Sequence, residues 1–476
     1  MMRGLLGHLS ACGFVLATLG ACASMTPPTL SPPDTWQGMP VDAGAPLPDP
    51  LWWLRFQSPE LNSLITEAVR NNHNLKAATA RVLEAEASAT AAGGALFPTV
   101  SAGLSGSRSQ RQVPGGGPDT VSVGYQGNLQ ASYQLDLFGQ VRNAAASANK
   151  RLESSLYDRE TVTITLVSNV ITAYLQVLSA RERQQITTDR LNNAEAILKL
   201  LETQRRVGVL SDLELSQQRA ALASQRAALP TLRLAERQSL NALAILLGHA
   251  PQGFTVQARA LSDVALPVVS AGIPSTLLVR RPDLRSAEAG LKGANFDVAS
   301  ARAARLPSIQ LTASGGSASS ALANLFTAGT FFYSLAGSAS ETLFAGGRLL
   351  AQERGARARY LEVAENYQQA VIAAFSDVEN ALSAVDYNGQ QYSLASEAAT
   401  QADRAYHLAE LRYRAGAVDF QTVLNAQNAA FSSQESLVQS RLSRFSAVIS
   451  LTQALGGGWD GATPEAPPLS AVSSPL

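Results

Sequence analysis

Sulfur is scarce in this chain of 476 residues, which has two cysteines, Cys12 and Cys22, and four methionines. Aromatic residues make up only 6%, and the 37 basic residues are balanced by 37 acidic ones. A chain without net charge lacks the electrostatic motive for binding nucleic acid. Beyond the N-terminus no run of about 18 apolar residues offers a transmembrane helix. The four histidines (His8, His73, His249, His407) are scattered, and there is no P-loop, metalloprotease motif or nucleophile elbow. An enzyme, a cofactor and a bound metal are therefore not expected. From Gln140 to Val207 there is neither glycine nor proline, so nothing breaks a helix that would be about 100 Å long.

Between Val121 and Leu137 apolar residues occupy the odd positions, with only Gly127 neutral, while Ser122, Gln126, Asn128, Gln130, Ser132, Gln134 and Asp136 occupy even ones. This is a strand with one apolar face. Its length exceeds the ~9–11 residues that a tilted strand needs to cross a bilayer, and such a strand survives in lipid only within a closed barrel. Weaker alternation follows Val100, where Ala102 and Leu104 share a face, and recurs at Ile309, Leu311 and Ala313 and at Phe331, Tyr333 and Leu335. The stretch Pro114–Pro118 marks the tip between the first two strands. Four strands per chain cannot close a barrel, so several chains must share one. Two chains would give eight strands around a filled interior and three would give twelve around a lumen; this argument alone does not choose between them.

The order of elements occurs twice. Leu96-Phe97-Pro98-Thr99-Val100 is echoed by Arg305-Leu306-Pro307-Ser308-Ile309, Leu137-Phe138-Gly139 by Leu343-Phe344-Ala345, Asn74-Leu75-Lys76 by Asp283-Leu284-Arg285, and Leu247-Gly248 by Leu455-Gly456. Offsets of 206 to 209 residues indicate an internal duplication. Second long helices are expected from Leu213 to Leu247 and from Phe420 to Leu455, after turns at Gly208 and Gly416, so each copy holds an antiparallel hairpin. Apolar residues at three- and four-residue spacing, as in Leu191, Ala194, Leu198 and Leu201, suit coiled-coil packing. Pro230 should bend the first returning helix. The expected division is a signal peptide at 1–21, a Pro-rich tether at 22–50 and repeat 1 at 51–255, with strands about 99–137 and a hairpin about 140–248. An inter-repeat segment at 256–274 precedes repeat 2 at 275–456, with strands about 308–343 and a hairpin about 346–455, and a tail at 457–476.

At the N-terminus Arg3 and a short apolar stretch precede Leu19-Gly20-Ala21-Cys22. This looks like a bacterial lipobox, in which Cys22 becomes the acylated first residue and Cys12 is removed, leaving no thiol for disulfides. Acyl chains at ~0.8 kcal/mol per buried methylene anchor the chain to a bilayer. Ala23, rather than Asp, follows the cysteine and resembles the pattern sent on to the outer membrane. Eight prolines between Pro27 and Pro50 make an extended tether. Only Met25 and Met39 would remain in the mature chain, which excludes a methionine relay for copper or silver within it.

The chain resembles, over essentially its whole mature length, the outer-membrane factor family of TolC, OprM and CusC type, and most closely its NodT lipoprotein branch. The resemblance rests on Leu277–Arg285 with its Arg280-Arg281-Pro282-Asp283 signature, Trp52-Trp53 with Phe56, Leu343–Arg348 and Arg412-Tyr413-Arg414-Ala415-Gly416. It implies an α+β membrane protein: a homotrimer whose 12-stranded transmembrane barrel continues as a 12-helix periplasmic barrel. Residues 256–274 and the C-terminal segment would form a belt around that barrel. Gly208 and Gly416 would lie at the periplasmic tip, meeting an adaptor (membrane fusion) protein, although each glycine could equally be a helix C-cap. Tyr413 and Asn425 would be gate candidates. Where the family commonly has Leu-Leu-Asp-Ala-Gln, this chain has Val423-Leu424-Asn425-Ala426-Gln427, so a ring of Asn425 would be polar without charge. The implied function is a passive outer-membrane exit duct for small molecules such as drugs, fed by an inner-membrane RND-type pump. The alternatives are a type I protein-secretion channel and a periplasmic spacer lipoprotein that transports nothing; the spacer leaves the four strands unexplained.

Overall fold

The computed structural model describes residues 33, 35–37, 48–113, 117–208, 211–270, 272, 274–462 and 464–465. Cys22, most of the tether, Pro114–Gly116 and Val209-Leu210 lie outside the described residues.

After a 3-10 turn at Trp52–Phe56 come α1 (Pro59–Asn71), α2 (His73–Gly94), β1 (Thr99–Val113), β2 (Gly117–Leu135), α3 (Gln140–Arg206) and α4 (Asp212–Leu246). The second copy comprises α5 (Pro274–Arg280), α6 (Pro282–Ala303), β3 (Ser308–Ser319), β4 (Phe331–Ser340), α7 (Arg348–Arg414) and α8 (Phe420–Ala454). The duplication is metrical. α3 and α7 each have 67 residues, α4 and α8 each 35, and α2 and α6 each 22.

The strands form one antiparallel sheet in the order β1-β2-β3-β4. Its register sets Val100 beside Ala131, Ala131 beside Ala313 and Ala313 beside Leu335, so the apolar positions of all four strands share one face. Ser101, Gln130, Ser314 and Ser334 line the other. The strand expected to run to Leu137 stops at Leu135. Beyond it Asp136 turns its carboxylate back onto the Arg142 amide at 2.8 Å, and Leu137 and Phe138 are exposed. Gly139 then precedes α3 at φ 82°, as Gly347 precedes α7 at φ 82°. The structural equivalent of Gly139 is thus Gly347, not Ala345, because the second strand-to-helix connection is longer.

The helices pack side by side. Near the sheet the order is α2, α3, α6, α7, and towards the hairpin turns it is α4, α3, α8, α7. α2 and α4 therefore share one column and α6 and α8 another. At each column joint an incoming helix ends in a left-handed glycine, Gly248 or Gly456, pressed on the backbone just before the next helix, at Asn71 or Arg280. Asn72 caps α2 by accepting from the Leu75 amide and donates to the Leu246 carbonyl at 2.9 Å. α4 runs unbroken through Pro230.

An 18-residue window of α3 reaches a mean hydropathy of 1.5, apolar enough to cross a membrane by length and composition alone, but 56% of it is buried in the protein. Val170, Ile171, Tyr174 and Leu178 on α3 pack against Trp52, Phe56, Leu61 and Ile65 and against Val256, Leu261 and Val264 of the inter-repeat segment. Fully burying side chains of this size contributes about 1.5–3 kcal/mol each. Trp52 and Phe56 owe their place to this contact. Burial pushes the Tyr174 hydroxyl, held between Ser58 and Glu60, up to about 12.

The Arg281-Pro282-Asp283 signature is a joint. Pro282 occupies the first turn of α6, where it has no amide to lose. Arg281 donates to Asp283 at 2.7 and 3.0 Å and to Asp377 on α7 at 3.0 Å. Burial opposes the charged guanidinium, and these two carboxylates outweigh burial and raise its pKa.

Candidate functional site: the hairpin tip

α3 and α7 both end on a glycine with positive φ, 78° at Gly208 and 74° at Gly416. At the second turn the Gly416 amide donates to the Tyr413 carbonyl and the Ala417 amide to the Arg412 carbonyl, each at 2.9 Å. This pair of bonds satisfies the carbonyls that a helix end leaves open. Gly416 is therefore a helix cap and the hairpin turn at once. Asp419 then caps α8 by accepting from the Thr422 amide at 2.9 Å and its hydroxyl at 2.6 Å, and Ser211 with Glu214 forms a capping box at the start of α4.

The two hairpins are packed together by an apolar cluster that includes Ile197 and Leu201 of α3, Leu215 of α4, Tyr406 of α7, and Phe420 and Val423 of α8. Polar ties cross the same seam. The Tyr413 hydroxyl donates to Gln204 at 3.1 Å while its ring meets Phe420 edge-on, with centroids 5.8 Å apart. Arg190 pairs with Asp403 at 3.0 Å and lies over the Tyr406 ring at 5.6 Å. Farther from the tip Arg183 pairs with Glu435 at 2.6 Å and Arg441 with Glu182 at 2.9 Å. Tyr406, Tyr413, Ile197 and Leu200 also line a cleft of about 480 Å³ between the hairpins.

Tyr413 and Gly416 are thus adjacent, and Gln204, one turn before Gly208, joins the first hairpin to them. Asn425 is not part of this contact. It is exposed on α8 and accepts from Gln421 at 2.9 Å, while Val423, Leu424 and Gln427 face the seam. Gln204, Arg190 and Asp403 escaped the sequence reading because a long helix scatters Gln, Arg and Asp over all its faces. Their positions became special only when the hairpins met. Among the described residues no group of three or more His, Cys, Asp or Glu could hold a metal ion.

Burial raises the Tyr413 hydroxyl above its ordinary value of 10.0, with the nearby Glu214 carboxylate adding to the shift. The protonated donor is therefore favoured in the packed tip. Its bond to Gln204 is fully present below the ordinary tyrosine range and is lost only as pH rises through the higher folded value. An ultraviolet titration of Tyr413 against Tyr413→Phe should place its ionisation above that of an exposed tyrosine. A transition at the ordinary value would mean that the seam is open to water.

The outer membrane efflux protein family profile matches the chain twice, over residues 64–249 and 273–457. The pyoverdine export outer membrane protein OpmQ of Pseudomonas putida is 39% identical over 467 residues, covering 96% of this chain and 98% of that protein. The solvent efflux pump outer membrane protein SrpC of Pseudomonas putida is 34% identical over 408 residues, covering 85% and 86%. The open-state crystal structure of the Neisseria gonorrhoeae MtrE outer membrane channel superposes with a TM-score of 0.83 at 29% identity, covering 92% of this chain and 98% of that one.

Proposed function

Because this chain belongs to the outer membrane efflux protein family, we propose that three copies of it close into one duct that passively conducts small molecules across the outer membrane. That the protein is an outer-membrane efflux channel, not an enzyme, follows from the family itself. The observation that carries the assembly is the sheet. It has one apolar and one polar face, and both β1 and β4 leave an edge unpaired. Successive strands alternate in direction, so β4 of one copy meets β1 of the next antiparallel. Three copies give twelve strands with a polar interior.

In this reading the α-helices continue the wall into the periplasm, and the tips at Gly208 and Gly416 meet a periplasmic adaptor fed by an RND-type inner-membrane pump. Export functions named for OpmQ and SrpC support small-molecule cargo. Tyr413 is the latch between hairpins, and Asn425, exposed near the tip, supplies a polar uncharged ring. Residues 1–21 are a signal peptide, and Cys22 carries the lipid anchor at the head of the 22–50 tether. The repeats span 51–255 and 275–456, with 256–274 and the 457–476 tail contributing to a belt. Trp459 against Tyr157, with ring centroids 5.6 Å apart, supports that role for the start of the tail.

The test is the mass of the purified protein in detergent followed by single-channel recording in planar bilayers. A trimer with a mostly closed pore is expected. A monomer, or a trimer that never conducts even when the tip is altered, would leave a spacer in place of a duct.

A further inference from the structure

The two connections at the far end of the sheet differ in chemistry. The β1–β2 hairpin carries Arg108, Arg111 and Asp119 and extends past the last β2–β3 pair, Tyr125 with Ser319. Between Arg305 and Glu341, by contrast, there is no charged residue. The β3–β4 connection within that stretch exposes Leu322 (63%) and Phe326 (78%), while its Leu325 is buried.

This connection folds back over the apolar face. Gly127 interrupts that face, in a row where Leu104, Gly127, Ser317 and Phe331 stand side by side. A Cβ built on Gly127 would meet Leu104 Cδ2 first, at 2.9 Å, and then the ring edge of Phe326, 3.8 Å away. Gly127 is the only buried residue among the described strand residues. Leu104 from the neighbouring strand and Phe326 from the β3–β4 connection therefore cover the gap that the glycine leaves, the ring in the way an aromatic shields a strand glycine.

The depth of this row fits lipid. Eight residues separate it from the Leu135 row; at ~3.3 Å per residue and a tilt of ~40° they cover about 20 Å, inside an apolar band ~25 Å tall. Two rows farther out the same face presents Arg108 opposite Val123, which marks the end of the band. Tyr125, between the two, sits where interfacial aromatics gather.

We infer that the β3–β4 connection is seated in the membrane, with Phe326 and Leu322 among the acyl chains of the outer leaflet, and is not folded across the pore mouth. The inference rests on the proposal that the apolar face of the sheet meets lipid. Its consequence is a division of labour at the outer end: the β3–β4 connection shields Gly127 and holds the sheet in lipid, while only the charged β1–β2 hairpin stands in the water over the opening.

Single-cysteine substitutions carrying an environment-sensitive fluorophore test this in trimers reconstituted in phosphatidylcholine vesicles, with the parent chain setting the labelling background. The probes are Phe326→Cys and Leu322→Cys in the connection, Leu335→Cys on the apolar face, Ser314→Cys on the polar face and Ser109→Cys on the hairpin. Labels at 326, 322 and 335 are expected to be quenched by brominated acyl chains and shielded from iodide, and those at 314 and 109 to show the reverse. Quenching at 335 with iodide access at both 326 and 322 would overturn the seating of the connection and leave the orientation of the sheet intact. Iodide access at 335 would overturn that orientation, and this inference with it.

Discussion

Gly456→Ala is expected to abolish folded protein in the outer membrane, although it adds one methyl group. Gly456 ends α8 at φ 94°, and a Cβ there would stand 2.1 Å from the Arg280 carbonyl oxygen and 2.9 Å from its carbon. The obstacle is backbone at the Arg280-Arg281 joint, and it cannot rotate aside. A left-handed non-glycine residue costs roughly 1–2 kcal/mol before any clash. Moving α6 away would also break the Arg281 bond to Asp377 on α7. Against a net folding stability of about 5–15 kcal/mol the combined loss is large.

The duplicated joint gives an internal scale. At Gly248, φ 76°, the added Cβ would stand 2.8 Å from the Asn71 carbonyl oxygen, whereas at Gly416, φ 74°, nothing lies within 4 Å. Outer-membrane yield and oligomer stability on native gels should fall most for Gly456→Ala, less for Gly248→Ala and least for Gly416→Ala. The bulkier Gly416→Val should impair drug resistance while trimers persist, because only the turn is strained. Normal yield of Gly456→Ala would show that the two columns do not meet as described.

Tyr413→Phe should raise channel opening without loss of trimer. The substitution removes the donor to Gln204 and keeps the ring against Phe420, so packing is little changed. One such hydrogen bond contributes about 1 kcal/mol net. If three latches open together the sum is about 3 kcal/mol, roughly a hundredfold in the open-to-closed ratio. Arg190→Ala should add to the effect, since it removes both the Asp403 pair and the stacking on Tyr406. Asp403 is more than half exposed, so most of that addition is expected to come from the stacking and the buried stem. Asn425→Ala, outside the seam, should leave opening near the parent level and alter conductance alone. Single-channel recording separates these outcomes, and equal opening of parent and Tyr413→Phe would remove Tyr413 as a latch.

Helix lengths, strand alternation, the duplication and the hairpin turns were all legible in the sequence, because each depends on local spacing. A 67-residue stretch without a breaker is helical under nearly any packing, and period-two alternation declares a strand with two unlike faces. The need for a shared barrel followed too, since backbone groups in lipid must find partners. What the tertiary structure alone decided lies where distant segments meet. Leu247-Gly248 and Leu455-Gly456 were visible as an echo, but only the approach of Asn71 and Arg280 makes them joints. Gly127 looked like a blemish in an apolar face until Phe326, nearly 200 residues away, came to rest over it. Gln204 became the partner of Tyr413 because two hairpins of equal length bring their ends to the same level. Local spacing determines which elements form; which side chains of two long helices face each other depends on register and rotation summed over many turns, and only the packed molecule holds that information.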